Sequence, residues 1–170
     1  MSKRDLKKYL TSLEKEELEA QILDLYTRFK NVKEFYDFVF NPKEDKLVEV
    51  AKTKIANEYF PINRRKPKAR RSIAQKHIKH FIELGVNPVL TADVMWFTIE
   101  IAQTFNQEKA VKSEAFYKSM AKSFEEAVKF SIQHQLLTDY KTRIVAIYQE
   151  AKAQKWSSLP IMETALDMVD

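Results

Sequence analysis

Residues 88–105 read PVLTADVMWFTIEIAQTF, and the way this stretch must pack decides the fold. It opens on Asn87-Pro88, where asparagine caps a helix and proline at the first helical position loses no hydrogen bond the helix needs. Projected at 100° per residue, Val89, Leu90, Val94, Met95, Trp96, Phe97, Ile99, Ile101 and Phe105 cover most of the circumference. Only Asp93, Glu100 and Thr104 remain as a thin polar stripe. A helix apolar on nearly every side has to be surrounded by others. The reading therefore predicts a central helix over 88–105 in an all-α protein.

Working outward, the same helical period recurs on both sides. Toward the N-terminus, Ser2 and Asp5 cap a short helix with Leu6, Tyr9 and Leu10. Glu14, Glu16 and Glu17 then open a second helix whose Leu18, Ile22, Leu25, Tyr26 and Phe29 form one buried stripe. A third, VKEFYDFVF, carries too many aromatic residues for one face and is expected to be wedged between neighbours. Asn41-Pro42 reads as the start of a fourth helix burying Leu47, Val50, Ala51, Ile55 and Tyr59. Phe60-Pro61 ends it, since the residue before proline is pushed out of the α region. A fifth helix is expected from Lys68 to Leu84, closed by Gly85. Toward the C-terminus, Ser113 caps a long helix, Thr138 or Asp139 opens another, and Pro160 starts a last one. The expectation is a single domain over residues 1–170, an irregular bundle or a short HEAT-like stack of about seven to nine helices. Residues 157–170 are read as a docking helix or a mobile tail.

Composition agrees with this. The 170 residues are 45% hydrophobic and 31% charged, a globular balance, and Gly85 is the one glycine. So little glycine argues against hairpins and excludes Gly-rich phosphate loops. Without cysteine there is no disulfide, thiolate nucleophile or Cys-ligated metal. No apolar run is long enough for a membrane span and none resembles a signal sequence. A soluble cytoplasmic protein is expected, with no membrane contact and no cofactor.

The net charge of +5 is concentrated in one place. Between Tyr59 and Ile82 there is no acidic residue, while Arg64, Arg65, Lys66, Lys68, Arg70, Arg71, Lys76 and Lys79 supply eight cations. The segment 61–67, PINRRKP, reads as a proline-bounded linker, and the residues after it fall at a helix N-terminus, where extra positive charge costs roughly 0.3–1 kcal/mol each. An anion would offset that. Arg64, Arg65, Lys66, Lys68 and Arg71 are accordingly the candidate anion-binding residues, for an acidic protein surface, a phosphate ligand or a nucleic-acid backbone. Base-stacking aromatics are missing between Phe60 and Phe81, which lowers the case for sequence-specific nucleic acid. Neutralisation by carboxylates of neighbouring helices is the structural alternative.

Arg70 and His77 project inward on the fifth helix, and Asp93 and Glu100 lie seven residues apart on the sixth. With Trp96 they outline the competing reading, an inter-helix pocket of an enzyme or small-molecule binder. Its structural counterpart is an ion pair joining Arg70 to Asp93 or Glu100. A zinc site on His77 and His80 would need further ligands, for which Asp93 and Glu100 are the nearby suppliers; because His77 projects onto the apolar side and His80 onto its edge, no metal is expected. Nor is any nucleophile–base pair recognisable, and no catalytic residue is nominated.

The ensemble MSKRDLKKYL, EFYDFVFNPKEDKL, NEYFPINRRKPKARRSIAQKHIKHF and AFYKSMAKSFEEAV resembles a family of small bacterial proteins known as a domain of unknown function, over nearly the whole chain. The resemblance implies a bacterial, all-helical protein and carries no activity, ligand or partner. The function expected from the residues is a non-enzymatic binding or scaffold module offering its basic linker to an anionic partner.

Overall fold

The computed structural model describes residues 2–62 and 65–169. Among them are nine α-helices and no strand: α1 Lys3–Leu10, α2 Lys15–Arg28, α3 Lys30–Phe40, α4 Glu44–Tyr59, α5 Arg71–Leu84, α6 Pro88–Glu108, α7 Glu114–Gln133, α8 Leu137–Ala153 and α9 Leu159–Leu166. The all-α expectation holds. None of these helices is long and apolar enough to cross a membrane. The chain divides into two compact units, Met1–Lys43 and Glu44–Asp170.

In the first unit the local signals are met. Ser2 and Asp5 form a reciprocal capping box on α1, and Glu14 and Glu17 do the same on α2. α2 and α3 pack together, with the Tyr26 hydroxyl donating to Asp37 at 2.8 Å and Lys33 donating to both. Burial differs from expectation. None of the three helices contains a buried residue, and Phe40, expected to be wedged among neighbours, is 81% exposed.

The second unit is built around α6, which packs against α4, α5, α7 and α8. Ala92, Val94, Trp96, Ile99 and Ala102 on it are fully buried, as the sequence of this helix requires. A central helix with partners on all sides is bundle geometry rather than a stack. In α4 the buried stripe is Val48, Ala51, Ile55 and Tyr59, so Val48 takes the place expected for Val50, which faces out. The C-terminal segment is a docked helix: Met162 and Ala165 of α9 are buried, and the Ser158 hydroxyl donates to the Tyr117 carbonyl at 2.9 Å.

α5, α7 and α8 all end in the same way. A left-handed residue follows each helix, directly at Gly85 (φ 77°) and one position later at Gln135 (φ 59°) and Lys155 (φ 55°). The next amide then reaches back five residues, from Val86 to Phe81, Leu136 to Ser131 and Trp156 to Ala151. Each of those next side chains is buried. This is the Schellman arrangement, which satisfies the last carbonyls and plugs an apolar residue into the core.

Candidate basic cleft and an ion network between helices

The linker between α4 and α5 is positioned by one residue. Glu58, in the last turn of α4, accepts from the Lys68 and Ala69 amides through its carbonyl, at 3.0 and 2.9 Å. Its carboxylate takes the Arg70 guanidinium in a two-pronged grip at 2.8 and 2.8 Å. That grip holds the Glu58 carboxyl below its ordinary value. The bend carries a cost: Ala69 is left-handed, φ 46°, a conformation that non-glycine residues rarely adopt. It also sets the start of α5. The helix was expected from Lys68, but Lys68 and Ala69 are tied back to α4, so the helix begins at Arg71.

Pinned in this way, the linker borders a cleft of about 320 Å³ lined by Asn57, Glu58, Pro61, Ile62, Arg65, Lys66, Lys68 and Arg70. On its other side a groove joins Lys66 and Lys68 to Lys109 and Lys112 of the α6–α7 loop. Sequence reasoning did not anticipate the two loop lysines, because nothing local marks residues forty positions away as neighbours. Arg65, Lys66, Lys68, Lys109 and Lys112 are all exposed. Among the described residues none of the five is ion-paired. Arg64, the first of the candidate anion-binding residues, lies outside the described residues.

Arg71 has a different position. Its guanidinium donates to the Ser123 hydroxyl at 2.7 Å and to Glu126, and its side chain is 15% exposed. It staples α5 to α7 instead of facing the cleft, so neutralisation by a neighbouring helix is the observed arrangement for this cation.

The expected pairing of Arg70 with Asp93 or Glu100 is corrected by the structure. Arg70 precedes α5, where Glu58 captures it, and the polar stripe of α6 faces α4 and α8. There Arg143 of α8 donates to both Glu100 oxygens at 2.6 and 2.7 Å and to Asp93 at 2.7 Å, while Lys52 of α4 contacts Asp93 at 2.5 Å. Desolvation alone would raise the Asp93 carboxyl; hydrogen bonds from Lys52 and Arg143 outweigh it and hold the group below its ordinary value. The same carboxylates raise the Arg143 guanidinium against the effect of burial. Two cations and two carboxylates thus close a neutral network.

The remaining residues of the pocket reading do not join it. Trp96 is fully buried, edge-on to Phe124 and tilted against Tyr140, and its indole N–H has no partner among the described residues. His77 is half-buried on α5. Desolvation lowers its pKa, and Lys54, His80 and Lys76 lower it further. Among the described residues no group of three or more His, Asp or Glu side chains is arranged to hold a metal ion. Arg143 was missed by the sequence reading, although it lies three residues after Tyr140 and four before Ile147 on the face that turns inward. An arginine at such a position is the signal of a carboxylate opposite.

The family model described as a family of unknown function, DUF6155, matches residues 1–170, and the chain belongs to that family. Neither the curated proteins nor the solved structures compared with it give a match.

Proposed function

We propose that this member of the DUF6155 family is a non-enzymatic binding module that takes an anionic partner on the basic cleft between the α4–α5 linker and the α6–α7 loop. The observation that carries this reading is that Glu58 fixes the linker while Arg65 and Lys66 are left exposed and Lys68 points to the groove it shares with Lys109 and Lys112. A linker held at its end loses less freedom on binding than a mobile one, so more of the electrostatic attraction survives as affinity. The partner is a run of phosphates or carboxylates, read by charge and spacing.

Heparin and a mixed single-stranded DNA serve as probes across a salt series. The expected result is binding whose logarithm falls linearly with the logarithm of salt, with a shallower slope and weaker affinity for the Arg65→Ala/Lys66→Ala/Lys68→Ala variant. Absence of binding to both probes at low salt, or equal slopes for the two proteins, refutes the reading. The competing pocket of Arg70, His77, Asp93, Trp96 and Glu100 is disfavoured because Arg143 and Lys52 already occupy both carboxylates of α6.

A further inference from the structure

The first unit has an apolar surface out of proportion to its size. Ten large apolar side chains within residues 1–43 are at least 36% exposed, Leu23 at 65% and Phe40 at 81% among them, and its three helices bury nothing. About forty residues is the size below which a chain needs a disulfide, a metal or a partner to sustain a core. This chain has no cysteine, and among the described residues it has no metal-holding cluster. The cover for these faces has to come from residues 44–170 or from a second molecule.

Charge indicates which partner. α1 carries four cations and one carboxylate, whereas α2 with its capping Glu14 carries five carboxylates and two cations. Among the described residues none of the α1 cations is ion-paired, and Glu19 of α2 is matched only by Lys15 of its own helix. A uniformly acidic partner would be repelled by α2 and a uniformly basic one by α1. A surface that carries both signs fits one that carries both in the opposite order. We propose that residues 1–43 form a symmetric dimer interface with a second copy of this chain, α1 of each copy lying along α2 of the other. A two-fold axis makes each patch complementary to itself, so Arg4, Lys7 and Lys8 meet Glu16 and Glu19 twice over, while Leu23 and Phe40 are covered.

Sedimentation equilibrium of the full-length chain over a concentration series tests this. At about 100 μM a species of twice the chain mass is expected, dissociating on dilution and weakened by salt. Lys7→Glu/Lys8→Glu should weaken association by about tenfold, and adding Glu16→Lys/Glu19→Lys should restore it, since the signs are then exchanged on both sides. These positions are exposed, so the reversals leave folding intact, and far-UV circular dichroism on each variant verifies that. Leu23→Glu/Phe40→Glu should give a monomer. A wild-type chain that stays monomeric throughout overturns the proposal, as does a dimer that neither pair of reversals alters.

Discussion

Arg143 reaches from α8 to two carboxylates of α6, and its side chain is only 26% exposed. Removing it leaves Glu100 without its two-pronged partner and Asp93 with Lys52 alone. Losing one member of a fully buried pair costs roughly 3–5 kcal/mol; this network reaches solvent at its edge, so Arg143→Ala should cost about 2 kcal/mol at pH 7 in urea denaturation. The pH dependence follows from Asp93. Its carboxyl sits below its ordinary 3.8 in the folded state, so its stabilising contribution is complete above that value and is lost as pH falls through the lower, folded one. The difference between wild type and variant should therefore be constant near neutrality and narrow below pH 3.8. A difference that persists undiminished in acid would mean that Arg143 acts by packing alone. The two acids of this network were visible in the sequence as a polar stripe on an apolar helix, but their partners were not. Which cation answers a carboxylate depends on how helices far apart in sequence rotate against each other, and periodicity alone does not fix that rotation.

At the level of elements, the helix ends are where this chain departs from its own sequence signals. The Gly85 cap was legible, because glycine after a helical run is the residue that adopts positive φ without a steric penalty. The matching caps at Gln135 and Lys155 were not, since neither residue advertises the conformation it adopts. What holds them is the buried residue that follows, Leu136 and Trp156, whose apolar side chains commit the backbone to turn inward. The strain at the two positions should be recoverable. Gln135→Gly and Lys155→Gly should each raise stability by about 0.5–1 kcal/mol, whereas Gly85→Ala should lower it by about 1 kcal/mol. A β-carbon at Gly85 would meet nothing within 4 Å, so the cost there is conformational and not a clash. Denaturant midpoints of the three variants decide the matter: if Lys155→Gly fails to raise the midpoint, the left-handed residue is not strained. The Asn41-Pro42 signal failed as well. Asn41 closes α3 instead of opening α4, which starts at Glu44, and the Glu44 side chain accepts from the Asn87 amide at the entry to α6.

For the molecule as a whole, what matters is where burial lies. Every buried side chain among the described residues belongs to 44–170, gathered around the helix over 88–108 that the sequence marked as surrounded. Residues 1–43 present helical periodicity just as clear, and the periodicity was read as a buried stripe there too. Amphipathic spacing tells which face seeks cover but not what covers it, so the same pattern gave a core in one unit and an open surface in the other. The energetic consequence is testable by cutting the chain before Glu44. Residues 44–170 keep the network of Arg143, the three Schellman caps and the complete set of helices packed on α6, so this piece should unfold cooperatively with a melting temperature within about 5 °C of the full chain. Residues 1–43 alone, with helices of 8, 14 and 11 residues and no core, should show little helix in dilute solution, because isolated helices this short are marginal in water. Circular dichroism on both pieces checks the pair of expectations. A fragment 44–170 that melts broadly or far below the parent would show that its stability depends on the first 43 residues, whereas a dilute 1–43 peptide with stable helicity would show that its exposed apolar faces need no partner.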